Sequence, residues 1–349
     1  MVAMVNKYKY KLLIWLPLVI LGLFLLDISL GSVYIPIEEV FNILIGGDVE
    51  KSSWQNIILK FRIPRALTAI TVGAALAVSG LQMQTLFRNP LAGPFVLGIS
   101  SGASLGVALL MLSGSLITTS FFMSDLGNWL IVIAASLGSG LVLMLVVAVS
   151  IRVRDSMTLL IIGLMFGSLT GAVVSILQYF STGDEIQLYL FWTFGSLGGL
   201  NIDELKVLSV IVIVGLAVTV ALIKPLNALL LSENYARSMG VSIKSSRLLI
   251  ILSTSLLAGS VTAFCGPIAF IGLAVPHLAR LLFDTSDHKI LLPAVALTGI
   301  IIMLVCDIIS QLPGSQSLLP INAVTSLLGA PVVIWIILKR GSMKNTFAS

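Results

Sequence analysis

Residues 129–150 read WLIVIAASLGSGLVLMLVVAVS, a run without a single charged position, and Arg152 and Arg154 stand just past its end. A helix rises about 1.5 Å per residue and the hydrocarbon core of a bilayer is about 30 Å thick, so about 20 apolar residues cross it. This stretch has that length and reads as a transmembrane helix. Similar runs lie near 12–30, 66–86, 95–113, 158–180, 206–223, 248–265, 267–283, 290–311 and 319–338. Together they predict about ten spans. The two runs that meet at Gly266-Pro267 have no polar loop between them.

The composition agrees. Of 349 residues, 58% are hydrophobic and 10% charged, against about 25% charged in a soluble domain. Thirty glycines and twelve prolines would weaken soluble helices, but both are commoner in membrane helices, where close backbone approach drives packing. Gly163, Gly167 and Gly171 recur every four residues and so place three small residues on one helix face. The longest polar stretches lie around 31–60 and 224–247, too short for a separate soluble domain. The expected fold class is an all-α, polytopic transmembrane helical bundle, a single integral membrane domain over 1–349.

The first run follows Lys7, Lys9 and Lys11, the flank of a signal peptide, yet it has the length of a full span and no small-residue cleavage pattern follows it. It is expected to stay as the first helix. Loops rich in Lys and Arg remain cytoplasmic. With the N-terminus inside, the outer loops keep only Lys51, Lys60, Arg62, Arg65 and Lys206 of the twenty basic residues. Both termini are therefore expected in the cytoplasm. The net charge of +5 is this asymmetry. It points to a lipid bilayer as partner and not to nucleic acid.

Several function classes fall away. Cys265 and Cys306 both sit inside apolar runs, which offers neither a disulfide framework nor a metal cluster of cysteines. The chain has no glycine-rich Lys-Ser/Thr loop to cradle phosphates, so it does not hydrolyse ATP by that device. Asp27 and Asp307 are the only acids inside apolar runs, and both fall near the outer ends of their spans. A carrier coupled to protons or ions would need more. His277, beside Pro276, has no second ligand at helical spacing and reads as structural, and His288 reads as a solvated loop residue. No His, Asp, Glu or Cys constellation offers acid, base or metal work, so no catalytic residue and no metal site are expected. Uphill transport by this chain would need energy from another subunit; a carrier or channel acting alone is the competing reading.

One more sequence feature carries weight. Arg62-Ile63-Pro64-Arg65, Gly73-Ala74-Ala75-Leu76-Ala77-Val78-Ser79-Gly80, Phe87-Arg88-Asn89-Pro90-Leu91-Ala92 and Leu97-Gly98-Ile99-Ser100-Ser101-Gly102-Ala103 follow one another in order. Trp192-Thr193-Phe194-Gly195-Ser196-Leu197, Tyr235-Ala236-Arg237-Ser238-Met239-Gly240, Gly266-Pro267-Ile268-Ala269-Phe270-Ile271-Gly272, Val275-Pro276-His277-Leu278-Ala279-Arg280 and Leu328-Gly329-Ala330-Pro331 continue the series. In these motifs, over about residues 10 to 340, the chain resembles the FecCD permease family of iron-siderophore, haem and cobalamin importers. The resemblance implies the permease fold of a type II ABC importer. Two such permeases, a homodimer or a related pair, enclose one path; two ATPase subunits dock inside, and a substrate-binding protein delivers cargo outside. It further implies a multi-pass protein of the bacterial plasma (inner) membrane that binds no cofactor itself, ATP and Mg²⁺ being used by the partner ATPase. The cargo it implies is a ferric siderophore or related chelate, with cobalamin or haem as the alternative.

The resemblance also assigns segments. In the loop at 224–247, helix-favouring residues around Glu233 to Met239 end at Gly240, a helix stop. The residues expected to dock on the ATPase are Glu233, Tyr235, Ala236, Arg237, Met239 and Gly240. Ser232 and Asn234 stand where the family more often has Gly and an acid. Outside, Lys60, Arg62 and Arg65 are expected to meet carboxylates of the binding protein, because the planar guanidinium pairs bidentately with carboxylate; anchoring to lipid headgroups is the alternative. Ser310-Gln311 replaces an arginine that the family often carries there. Asp155, Ser156, Met157 and Thr158 match the stretch that narrows the cytoplasmic end of the path.

Overall fold

The computed structural model describes residues 2–31, 33, 35–47, 51–112, 125–150, 152, 156–312 and 317–338. Among the described residues the regular structure is entirely helical. In chain order the helices are α1 Val2–Ser29, α2 Ile37–Leu44, α3 Ser52–Leu86, α4 Ile99–Met111, α5 Asp125–Ser150, α6 Ser156–Phe180 and α7 Gly183–Thr193. They continue as α8 Ile202–Ala221, α9 Ile223–Leu231, α10 Glu233–Ser238, α11 Ile243–Cys265, α12 Ile271–Phe283, α13 His288–Ser310 and α14 Ile321–Leu338. Single π turns interrupt α3 at Ile58–Arg62 and α11 at Ser255–Gly259.

Among the described residues 7 helices are long and apolar enough to cross a membrane: α1, α3, α5, α6, α8, α11 and α13. Three further apolar helices, α4, α12 and α14, are shorter. Every apolar run marked in the sequence coincides with one of these. The run at 95–113 is shorter as a helix than as a pattern, because a 3-10 turn occupies Pro94–Leu97 and Gly98 takes a left-handed φ of 73°. The seam at Gly266-Pro267 is a real break. Gly266 has φ 74°, and an irregular stretch separates Cys265 from Ile271.

Helix α3 is the centre of the bundle: every residue from Val72 to Phe87 is buried. Its small residues explain why. A Cβ added at Gly73 would stand 2.5 Å from the carbonyl oxygen of Gly299 in α13, and one at Gly80 1.7 Å from that of Gly272 in α12. Helices α4 and α5 meet in the same way, a Cβ at Gly106 falling 2.0 Å from the Ala134 carbonyl and one at Gly138 2.1 Å from that of Gly102. Backbone-to-backbone approach of this kind is how helices associate in lipid, where apolar side chains gain nothing by leaving one apolar neighbour for another. Of the four-residue glycine series in α6, Gly163 lies against Val96 and Gly167 against Ser101, whereas Gly171 faces open space.

Polar side chains inside the bundle are tied across helices. Gln82 of α3 donates to Thr219 Oγ1 of α8 at 2.9 Å and to Ser253 Oγ of α11 at 3.1 Å, and accepts from Thr254 at 2.9 Å. His288 differs from its expected place in a solvated loop: it is fully buried. The reason is local. The Asp287 side chain accepts the Lys289 amide at 3.0 Å and caps α13 at that point, so the helix begins before the apolar run does and carries His288 into the bundle.

Candidate functional site

The segment at 224–247 folds as an arm on one end of the bundle. Helix α9 leaves α8 with Leu226, Ala228 and Leu229 buried beneath it. The chain then turns into α10, whose first turn is capped by Ser232 Oγ accepting the Tyr235 amide at 2.9 Å. At its far end the Gly240 amide bonds to the Arg237 carbonyl and the Val241 amide to the Ala236 carbonyl, both at 3.0 Å, while Gly240 takes φ 80°. This pair of bonds around a left-handed glycine closes a helix sharply.

Rear and front of the arm differ. Ala236 is fully buried in one cluster with Leu226, Leu229, Ile250 and Ile251, and Glu233 pairs with Arg247 of α11 at 3.0 Å. Tyr235 and Met239 are 48% and 61% exposed, with Arg237 and Gly240 exposed beside them. The structure thus leaves four of the six expected docking residues exposed along α10 and its closing turn, and turns Glu233 and Ala236 toward the bundle.

Where the arm meets the bundle, Asn227 lies against the start of α13. Its Nδ2 donates to Asp287 Oδ1 at 2.7 Å, and its Oδ1 accepts from the His288 amide at 2.9 Å. Burial alone would raise the pKa of Asp287, but the Lys289 amide, the Asn227 side chain and the nearby Lys289 charge outweigh it and hold the carboxyl below its usual range. Close by, Arg280 donates to Gln84 Oε1 at 2.6 Å, and His277 Nε2 lies 2.7 Å from the Pro90 carbonyl. His277 is therefore a strut for the turn after α3.

The opposite end carries the cationic cluster. Lys60 is exposed. Arg62 is buried, 8% exposed; it donates to the Ile28 and Ser29 carbonyls, each at 2.9 Å, and to the Val33 carbonyl. The C-terminal end of α1 leaves carbonyls without helical partners, and a guanidinium satisfies them. Arg65 grips Asp307 of α13, Nε at 2.9 Å and Nη2 at 2.8 Å from Oδ1, and also reaches Ser310 Oγ at 2.8 Å. Gln311 bridges on to Asp27 Oδ1 at 2.7 Å and Asp307 Oδ2 at 3.3 Å. The arginine forks thus find acceptors within their own chain and lock α1, α3 and α13 together. Sequence reasoning had the signal for this. Acids stand at the ends of two spans and two arginines near the start of a third, and of these Arg65 and Asp307 pair.

Of the expected gate, Asp155 lies outside the described residues, as does the side chain of Ser156, which opens α6. Met157 and Thr158 follow on the first turn of α6, both exposed.

Comparison with known proteins agrees with this geometry. The FecCD transport family model matches residues 18–339. The vitamin B12 import system permease proteins BtuC of Salmonella paratyphi A (strain ATCC 9150 / SARB42) and Salmonella newport (strain SL254) are each 35% identical over 293 residues, covering 84% of this chain and 87% of theirs. A metal-chelate type ABC transporter solved in an inward-facing conformation superposes with a TM-score of 0.82 at 30% identity, over 94% of this chain and 99% of that one. The PsaBC structure from Streptococcus pneumoniae shares the fold alone, at a TM-score of 0.50 and 16% identity over 87% of this chain and 99% of that one. The chain belongs to the FecCD transport family and is a membrane permease subunit of the ATP-binding-cassette importer type.

Proposed function

We propose that this permease forms, with a second copy or a close relative, the import path for a large metal-centred chelate, and that two ATPase subunits, using ATP and Mg²⁺, drive it. In this reading the three short apolar helices also span the bilayer, giving ten crossings of a bacterial inner membrane in one integral domain, with both termini and the arm at 224–247 in the cytoplasm. The cargo class is the one that contains ferric siderophores and cobalamin. The metal-chelate transporter that shares the fold and the BtuC relatives both point to it, and haem belongs to the same group. One feature within the chain supports transport without ion coupling. Among the described residues Asp27, Arg62, Arg65, Arg280 and Asp307, ionisable side chains within the spans, each hold a partner in the chain itself, and a coupling site would keep one available to its ion.

The observation that carries the reading is the free face of α10. A six-residue helix, capped at both ends and pinned from behind, presents Tyr235 and Met239 outward, and such a rigid knob in a groove of an ATPase can pass its motion to the spans behind it. Met239→Glu sets a charge on that face without touching the buried rear. It is expected to reduce co-purification of the ATPase about tenfold, which is about 1.4 kcal/mol of interface. Undiminished assembly would remove α10 as the dock.

Outside, a binding protein is proposed to settle on the surface around Lys60, for which Arg62 and Arg65 provide the rigid base. Lys60→Glu should weaken binding-protein affinity about three- to tenfold, more at low than at high salt, as a rim charge does. Equal affinities at both salt concentrations would place the contact elsewhere. The inner gate at 155–158 is kept as part of the proposal, its small hydroxyl residues able to narrow a pore without holding the cargo. Titrating cyanocobalamin, haem and a ferric siderophore against the cognate binding protein would decide the cargo, since affinity in such systems resides in that component.

A further inference from the structure

We propose that Asn227 is a positioning residue: its side-chain amide latches the docking arm to the start of α13, so that movement of the arm is delivered to the α3–α13 pair. The inference rests on the reading of α10 as the ATPase dock.

Asn227 is half-buried on α9, and its side-chain amide is held on both sides. Asn227 Nδ2 donates to Asp287 Oδ1 at 2.7 Å. On the other side Asn227 Oδ1 lies 2.9 Å from the His288 amide and 2.7 Å from His288 Nδ1. A carboxylate only accepts and the His288 amide only donates, so the orientation of the Asn227 amide is determined and the ring proton of His288 sits on Nδ1. The same Asp287 oxygen takes the Lys289 amide at 3.0 Å, which joins the latch to the cap of α13. From His288 the chain of contacts continues into the centre of the bundle: Nε2 lies 3.0 Å from Thr85 Oγ1, near the end of α3. Helices α3 and α13 are themselves in backbone contact at Gly73 and Gly299.

Without Asn227, α9 would rest on the bundle through Leu226, Ala228 and Leu229. Such contacts are non-directional and let an arm slide or rotate; hydrogen bonds of fixed angle do not. The second anchor, Glu233 to Arg247, ties the arm to α11 and leaves α13 to Asn227 alone among the described polar contacts.

A charge-swap cycle tests this, with permease, ATPase and binding protein reconstituted in lipid and the rise in ATP hydrolysis on adding the binding protein as the readout. Asn227→Asp sets two carboxylates against each other. Asp287→Asn keeps an acceptor for both Asn227 and Lys289. The double variant restores one donor and one acceptor in the reverse sense. The expected result is that N227D retains its ATPase yet loses about tenfold of the stimulation, that D287N stays within about twofold of the parent, and that N227D/D287N recovers most of the loss, the signature of a direct pair. Parent-like stimulation by N227D, or a loss that D287N does not repair, would overturn the latch. So would a cycle visible only in the thermal stability of the permease by itself, since a structural pair would do the same. Failure of the underlying reading shows up separately, as full ATPase assembly by Met239→Glu with the latch intact.

Discussion

Asp307→Leu is expected to cost about 3 to 5 kcal/mol of stability, because it leaves the Arg65 guanidinium in the bundle without its counter-charge. Asp307 is fully buried and Arg65 nearly so, with side-chain exposures of 1% and 15%, and water cannot replace the lost partner. The same substitution also releases Ser310 and Gln311, and through Gln311 the link to Asp27 on α1. Thermal unfolding of the purified permease in detergent would show a large fall in melting temperature. Arg65→Met/Asp307→Leu should recover much of that fall, since replacing both members of a buried ion pair by apolar groups of like volume is far milder than removing one. A double variant as unstable as the single one would contradict this account of the cluster. One consequence is practical: reversing the charge of Arg62 or Arg65 damages the bundle before it reports on any partner, so Lys60 is the residue with which to probe that end of the bundle.

Gly80→Ala is expected to be nearly as damaging. The added Cβ would lie 1.7 Å from the Gly272 carbonyl oxygen and 2.4 Å from its carbon, and backbone cannot swing aside as a side chain can. Helices α3 and α12 would have to part along their crossing, at a cost of about 3 kcal/mol or more. Gly171→Ala is the matched control, because nothing lies within 4 Å of its Cβ position, and a change within about 0.5 kcal/mol is expected there. Yield and melting temperature of the two variants, measured side by side, check the contrast. Similar behaviour of both would mean that α3 and α12 do not meet at Gly80.

These two cases show what a sequence discloses about such a protein. The spans were legible because lipid imposes one long apolar run per crossing, and the runs at 129–150 and 290–311 needed no other cue. The short helix within the arm at 224–247 was legible because Gly240 punctuates a short helical pattern. The partners of Arg62, carbonyls at the end of α1, and of Arg65, the Asp307 carboxylate, were not legible, since they depend on how α1, α3 and α13 are rotated against one another, and hydropathy carries no such angle. His288 was misplaced for a related reason: a charged neighbourhood suggests solvent, whereas the Asp287 cap starts the helix early and draws the imidazole inward. The helix at 99–111 came out shorter than its apolar run because Pro94 and the left-handed Gly98 set its start.

This chain is proposed to move its cargo on energy supplied by an ATPase seated on it. Vesicles carrying the purified permease, its ATPase and trapped ATP, offered the loaded binding protein outside, measure that directly. The labelled chelate should accumulate above the outside concentration only when ATPase and ATP are both present. Equal accumulation by vesicles holding the permease without the ATPase would contradict it.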